Sequence, residues 1–157
     1  MRSIMAAMTS AMAPDVVPDT AAIAARLRLG VTRLARRLRQ EAEPGITPSM
    51  LAALSSVERH GPLTMSDLCA VEQVQRPSMT RIVAALVDAG LVTRTVDESD
   101  RRVARVQLSA SGRRLLERAR RRKEAYLTKA LRELEPTEVT VLAEAAAILE
   151  RLTERRS

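Results

Sequence analysis

Residues 61–116 read GPLTMSDLCAVEQVQRPSMTRIVAALVDAGLVTRTVDESDRRVARVQLSASGRRLL and hold the most informative patterns of the chain. Thr64 and Asp67 have the spacing of a capping box, which predicts a short helix through Val71. A second helix follows within a few residues, with apolar residues at helical spacing up to Gly90. Two helices joined by so short a turn indicate a helix-turn-helix unit.

Two strands are predicted after these helices. Residues 91–96 form an apolar and β-branched run, and Val103, Val106 and Leu108 give a second run with a looser alternation. The charged residues 97–102 lie between the two runs. Two strands on either side of a polar tip make a β-hairpin, which at this position is the wing of a winged helix-turn-helix.

Two further helices are predicted upstream of this stretch. From Asp19 onward, apolar residues recur every three or four positions, which indicates a long amphipathic helix that ends near Pro44. Thr47 followed by Pro48 is typical of an N-cap with proline at the first helical position. The helix that begins there is expected to end at Gly61.

The chain beyond the hairpin is predicted to be helical as well. Ser109 and Ser111 offer N-caps for a long helix that extends to Pro136. A final helix carries apolar residues at helical spacing from Val139 to Leu152. The first and the last helix are more apolar than a monomer of this shape is expected to tolerate, with Ile23, Leu27 and Leu34 on the first and Val139, Leu142, Leu149 and Leu152 on the last.

The predicted fold class is therefore mainly α with a small β-hairpin wing. Residues 47–110 form the winged helix-turn-helix lobe, residues 19–46 and 111–157 form long terminal helices, and residues 1–18 form a flexible tail. The chain has one tyrosine and no phenylalanine or tryptophan, so the core must be aliphatic, with methionine filling gaps.

The chain resembles the MarR-type transcriptional regulators from about residue 20 to residue 154. The most diagnostic part is Leu86 to Gly112, where leucine, glycine and leucine follow the second helix of the pair, the wing reads Asp-Arg-Arg, and the second wing strand runs into Leu108 and Ser109. The resemblance implies a sequence-specific repressor that binds double-stranded DNA as a homodimer, in which the terminal helices of the two chains interlock. Two-fold symmetry then predicts a pseudo-palindromic operator.

Polar side chains cluster where the second helix of the pair would enter the major groove. They are Gln75, Arg76, Ser78, Thr80 and Arg81. We expect Ser78, Arg81 and Gln75 to point toward bases, while Arg76 and Thr80 fit a phosphate equally well. The alternative is an ordinary solvated helix face.

The wing and the short helix supply the other candidate DNA contacts. A guanidinium suits a narrow minor groove, which favours Arg102 as a wing contact. The resemblance implies that Asp100 holds Arg102, with Arg101 on phosphate; the alternative is an exposed charge pair of little energy. Thr64 and Ser66, at a helix N-terminus, are natural phosphate ligands, although their capping roles alone would explain them.

The charge balance points to a polyanion as partner. Lysine and arginine number 26 against 19 acidic residues, a formal net charge of +7. Residues 113–123 are densely basic, and they either widen the DNA-facing surface, form a solvated face, or pair with acidic residues such as Glu133 or Glu144. The charge also leaves open an alternative function, a non-specific architectural protein of the nucleoid type, which salt dependence would distinguish.

Other function classes find little support in the sequence. There is no Ser-His-Asp set and no phosphate-cradling glycine loop, so we predict no enzyme and no cofactor. With one cysteine, Cys69, and one histidine, His60, a zinc site is nearly excluded, and Cys69 is expected to be an apolar filler. No apolar run is long enough for a membrane span, and we predict a cytoplasmic protein.

The signal that controls the regulator is the least constrained part of the prediction. The resemblance implies a small-molecule effector that binds between the terminal helices and the DNA-binding lobe. Arg33, Arg37 and His60 are the polar candidates for such a pocket.

Overall fold

A computed structural model describes residues 19–41, 44–96 and 104–154. Within these ranges the elements follow one another as α1 (Thr20–Gln40), α2 (Pro48–His60), β1 (Leu63–Thr64), α3 (Met65–Glu72), α4 (Arg76–Asp88), β2 (Val92–Val96), β3 (Ala104–Leu108), α5 (Ala110–Leu131) and α6 (Pro136–Glu154). This mainly helical architecture with a small sheet confirms the predicted fold class. The predicted flexible tail at 1–18 lies outside the described residues.

Local capping signals set where the helices begin. The Thr47 side chain accepts a hydrogen bond from the Met50 amide at 3.2 Å, and Pro48 occupies the first turn of α2. The predicted capping box of α3 is present in both directions between Thr64 and Asp67. The first prediction depended on two adjacent residues and the second on two residues three positions apart, and both are confirmed.

The sheet has one strand more than the sequence indicated. Its order is β1-β3-β2, with antiparallel pairing throughout. The predicted hairpin is β2 and β3, in which Val92 lies opposite Leu108 and Val96 opposite Ala104. The missed strand, β1, pairs Leu63 with Val106. It is only two residues long, and two residues cannot show the alternation from which a strand is predicted.

The helix-turn-helix and the sheet enclose an aliphatic core. Its largest completely buried side chains come from every element of the lobe except β1: Leu54, Leu68, Met79, Val83, Leu86, Val92 and Val106. Met79 fills a central position among branched side chains, as predicted for a chain without large aromatic residues. Cys69 packs half-buried against the same core, in agreement with its predicted role.

The long helix after the wing ends earlier than predicted. Instead of reaching Pro136, α5 ends at Leu131, and the amides of Glu133 and Leu134 bond to carbonyls three residues back at 3.2 and 3.3 Å. Proline disfavours the helical conformation in the residue before it, so Glu135 must leave the helix. Pro136 then opens α6, where a proline N-terminus costs no hydrogen bond.

Helices α1 and α6 contain no buried residue. The chain separates into two compact units within α1, one ending at Ala35 and the other spanning Arg36–Ser157. The boundaries predicted for the DNA-binding lobe, at residues 47 and 110, remain predictions. Among the described helices, none is both long and apolar enough to cross a lipid bilayer.

Candidate DNA-binding surface

The start of α4 presents polar side chains to solvent. Gln75 is the N-cap residue with an extended backbone, yet its side chain makes no capping bond and is exposed. Arg76 and Arg81 are also exposed. Pro77 lies in the first turn, where its missing N–H has no intrahelical partner to lose. Thr80 is exposed too, so four of the five residues predicted on this helix are exposed to solvent.

Two of the predicted residues of α4, Ser78 and Thr80, are less available to a ligand. Ser78 is half-buried. The Thr80 hydroxyl donates to the backbone carbonyl of Arg76 at 2.9 Å. A phosphate contact from Thr80 therefore requires its hydroxyl proton to leave that bond, which favours Arg76 over Thr80 as the phosphate ligand.

The burial of one face of α4 explains why the opposite face is exposed to solvent. Met79, Val83 and Leu86 are completely buried, and their spacing of three and four residues places them on one side of the helix. The turn into α4 is tight: Gln73 adopts a left-handed conformation with φ of 52°, and the Val74 amide donates to the Cys69 carbonyl at 3.1 Å.

Capping already uses the hydroxyl of Thr64. That hydroxyl donates to Asp67 Oδ2 at 2.7 Å and accepts from the Asp67 amide at 3.1 Å. The Asp67 carboxylate also places a negative charge at the start of α3, where a phosphate would have to approach. Ser66 is exposed beside it and is the better candidate of the two.

Hydrogen bonds from Thr64 lower the pKa of the Asp67 carboxyl. The Thr64 hydroxyl contributes most and its backbone amide next, against a smaller desolvation effect that raises the pKa; Arg105 lowers it further. Since the folded-state pKa lies below the ordinary value of 3.8, Asp67 stabilises the fold above that pH. The contribution is lost as the pH falls through the lowered pKa.

Replacing Asp67 with alanine should therefore lower the urea midpoint of unfolding at pH 7. The loss should shrink below about pH 3.8, because the Asp67 carboxyl of the wild-type protein then becomes protonated, first in the unfolded state and at lower pH in the folded state. Urea unfolding of both proteins at pH 7 and at successively lower pH checks this. A difference in midpoint that stays constant down to the most acidic pH would contradict the charge-based explanation.

The predicted wing residues Asp100, Arg101 and Arg102 lie outside the described residues. The strands on either side of them in the sequence, β2 and β3, are described, and Val96 pairs with Ala104. Arg94 on β2 is exposed and adds a cation to the wing that the sequence reasoning missed. Its only sequence signal was a charged residue within a predicted strand.

The predicted effector residues occupy different surroundings. Arg33 and His60 are exposed. Arg37 bonds through Nη1 to Gln40 Oε1 at 2.9 Å, and its guanidinium carbon lies 5.4 Å from the centroid of the Tyr126 ring. This cation–π contact between α1 and α5 was not predicted, because nothing in the spacing of residues 37 and 126 connects them.

The basic run of α5 begins at the C-terminal end of α4. The Ser109 hydroxyl donates to the Gly90 carbonyl at 2.7 Å, and the exposed Arg113 follows one turn later. Further along, Arg120 forms an ion pair with Glu58 of α2. The acidic partner of this arginine is thus on α2, whereas the sequence had suggested Glu133 or Glu144 for the far end of the run.

Comparisons with known proteins agree with this architecture. A family model described as the MarR family matches residues 46–104. An HTH-type transcriptional regulator of Mycobacterium tuberculosis is 36% identical over 135 residues, which cover 85% of this chain and 94% of the relative. The crystal structure of a Pseudomonas aeruginosa protein described as a transcriptional regulator superimposes with a TM-score of 0.75 at 36% identity, over 85% of this chain and 94% of that one. The HTH-type transcriptional repressor MdtR of Bacillus subtilis is 32% identical over 68 residues, 43% of this chain and 44% of the relative.

Helices α2, α3 and α4 with a wing of β2 and β3 form a winged helix-turn-helix. The start of α4 is polar and exposed, as this class of protein requires. Proteins of this class that match along most of the present chain are transcriptional regulators. The chain belongs to the MarR family, and it is a DNA-binding transcriptional regulator.

Proposed function

We propose that this regulator is a repressor that binds a pseudo-palindromic operator as a homodimer and is released by a small-molecule effector. The observation that carries the proposal is the start of α4. Gln75, Arg76 and Arg81 are exposed there, while Met79 and Val83 of the same helix are completely buried. A helix anchored in this way can enter the major groove without rearrangement of the lobe.

In this proposal the residues of α4 divide between bases and backbone. Arg81 and Gln75 read base edges, with Ser78 at the groove floor, because arginine and amide side chains can make paired hydrogen bonds to guanine and adenine. Arg76 binds phosphate, with Thr80 as a second contact if its hydroxyl turns away from the carbonyl of Arg76. Contacts between arginine and phosphate fix the position of the protein along the duplex, and base contacts provide the sequence preference.

The wing and the start of α3 complete the interface. We assign Arg102 to the flanking minor groove, held by Asp100, and Arg101 to phosphate. Ser66 is the phosphate ligand at the start of α3, with Thr64 in a capping role.

Exposed apolar side chains on the terminal helices support the homodimer. On α6 they follow helical spacing: Val139, Val141, Leu142, Ile148, Leu149 and Leu152. On α1 they include Ile23, Leu27, Val31 and Leu34. Apolar faces of this extent on a regulator are best explained by a second copy that covers them. A two-fold dimer would place two copies of α4 about one DNA turn apart, roughly 10 bp.

The repressor role and the effector rest on separate observations. The relative MdtR is named a repressor, which favours repression over activation. For the effector we favour the surroundings of Arg37, where a guanidinium and the ring of Tyr126 lie side by side. Such a pair can bind an anionic group and a flat apolar group of one ligand. Arg33 and His60, both exposed, remain candidates for binding an effector.

Selection from genomic DNA tests the proposal most directly. The purified protein is incubated with fragmented genomic DNA of the source organism at about physiological salt, and the retained fragments are sequenced. We expect one inverted repeat with half-sites about 10 bp apart. A specific regulator should prefer this site about 1,000-fold or more over other sequences. Retention without a shared motif, lost steeply as salt rises, would support the architectural alternative instead.

Replacing Arg81 with alanine should weaken operator binding about 5- to 150-fold and relax the preference at one position of each half-site. Affinity for unrelated DNA should change much less. Arg113→Ala is the matched control, because it removes the same charge beyond the C-terminal end of α4, and Arg81 lies seven residues, about 10 Å, before that end. Equal losses in the two variants, measured by fluorescence anisotropy at one salt concentration, would mean that Arg81 acts through charge alone.

A further inference from the structure

Ser56 of α2 is the one buried polar residue in the described part of the chain, with 7% of its surface exposed. Its hydroxyl donates a hydrogen bond to Oε1 of Glu72, the last residue of α3. The two residues are 16 positions apart, so the bond joins two separate helices. A buried hydroxyl without a partner is costly, and this bond is therefore expected to persist in solution.

Glu72 lies where α3 turns into α4. The next residue, Gln73, has φ of 52°, a conformation that residues other than glycine adopt rarely. Gln75 is already the N-cap of α4, so only residues 73–75 separate the two helices. In so short a turn, the direction of α4 depends on how the end of α3 is held.

We propose that Ser56 and Glu72 are a positioning pair for DNA recognition. Their hydrogen bond holds the end of α3 against α2, and this fixes the angle at which α4 presents Gln75 and Arg81. Ser56 is buried, so its hydroxyl acts only through Glu72. The proposal rests on the proposed role of α4 in reading bases, and it adds two residues that the comparisons do not identify.

The expected effect is larger on specific than on non-specific binding. Arg81 is five residues after the first residue of α4, roughly 8 Å along the helix, so a small rotation at the turn displaces its guanidinium. Paired hydrogen bonds to a base edge require nearly linear geometry. Contacts with phosphates tolerate displacement better, because long side chains can follow the backbone. Loosening the pair should therefore reduce sequence preference before it reduces affinity for DNA in general.

The test compares Ser56→Ala with Ser55→Ala, an identical change at the neighbouring residue of α2. The Ser55 hydroxyl donates to the Leu51 carbonyl of its own helix at 2.9 Å, so it joins no other element. Affinities are measured for the selected operator and for an unrelated duplex of equal length. We expect Ser56→Ala to bind the operator about 10-fold more weakly, and the unrelated duplex within about twofold of wild type. Ser55→Ala should stay within about twofold on both.

Variants at Glu72 separate positioning from simple stability. Glu72→Gln keeps an oxygen that can accept from Ser56, so the ratio of operator to unrelated affinity should remain near the wild-type value. Glu72→Ala should lower that ratio as Ser56→Ala does, and the double alanine variant should lower it no further, since both changes break one bond. Circular dichroism at the assay temperature establishes that each variant is folded.

Two results would overturn the inference. One is an unchanged affinity ratio in Ser56→Ala, and the other is a parallel loss on both duplexes, which would show that the bond only stabilises the lobe. Failure of the proposed function looks different, because wild type itself would then show no sequence preference. A preference that Arg81→Ala reduces but Ser56→Ala preserves would leave the role of α4 intact and refute only the positioning pair.

Discussion

Replacing Leu142 with glutamate is expected to separate the proposed homodimer and to weaken operator binding by about 100-fold or more. Leu142 lies on the apolar face of α6 and is 45% exposed in the single chain, beside Val141 at 63%. It also lines an open groove formed with Leu134, Thr137, Glu138 and Val141. A carboxylate on this face would have to be desolvated against the partner chain, which opposes association.

The size of the effect follows from two-site binding. In a dimer, the second half-site is bound at an effective concentration set by the first, which raises the overall affinity 10²- to 10⁴-fold above that of one lobe. A monomer loses this gain even when its lobe is intact. Since no residue of α6 is buried in the single chain, Leu142→Glu should leave the lobe folded.

Sedimentation equilibrium and operator titration, run on the same samples, measure this prediction. Thr140→Glu is the control, since it adds the same charge to the same helix almost opposite Leu142, 200° around the axis at 100° per residue. The control should remain dimeric and bind normally. A Leu142→Glu protein that is still a dimer, or a monomer that retains wild-type affinity, would contradict the proposed interface.

Short-range signals account for the parts of the fold that the sequence predicted well. Thr47, the pair Thr64 and Asp67, and Ser109 each cap a helix by bonding to an amide three residues away. Such bonds depend on local sequence alone, so tertiary packing seldom overrides them. The buried face of α4 could also be predicted, because its apolar residues repeat at helical spacing.

Contacts between distant residues could not be predicted in this way. Ser56 and Glu72 are 16 residues apart, and Arg120 and Glu58 are 62 apart. None of these residues carries a sequence signal within its own helix that indicates such a contact, and no periodicity connects it to its partner. The same reason applies to β1, whose pairing with β3 gives two residues a strand geometry that they would not adopt alone.

The candidate site shows the same division. The exposed start of α4 followed from the apolar pattern, because residues outside that pattern face solvent. The involvement of Thr64 in capping was also open to sequence reasoning, since the capping box and the phosphate role compete for one hydroxyl. How α3 ends and how α4 is aimed depends on α2, and that relation exists only in the folded lobe.

Replacing Gly112 with alanine should destabilise the lobe by about 3 kcal/mol, a large part of the 5–15 kcal/mol that is usual for a domain. Gly112 is buried in the first turn of α5, and its amide donates to the Ser109 hydroxyl at 3.0 Å. A β-carbon added there would lie 2.2 Å from the Leu91 carbonyl oxygen and 2.9 Å from Cδ1 of Leu108. The first of these atoms belongs to the backbone and cannot rotate away.

The damage should extend beyond α5. Ser109 ties the start of this helix to the turn between α4 and β2, through its hydroxyl to Gly90 at 2.7 Å and through its amide to the Leu91 carbonyl at 3.1 Å. If a methyl group pushes α5 outward, these bonds and the buried side chains of Leu115 and Leu116 shift together. Helix α4 and the wing strands would then lose their common support.

Urea unfolding measures the effect, with Ser111→Ala as control at the adjoining exposed position. We expect the control to stay within about 0.5 kcal/mol of wild type, because the hydrogen bond that the Ser111 hydroxyl accepts from Arg114 Nη2 at 3.0 Å is exposed to solvent and contributes little. An unchanged midpoint in Gly112→Ala would mean that α5 can move from the turn at little cost. The close packing of α5 on the turn would then be dispensable, and a larger residue at 112 should also leave operator binding intact.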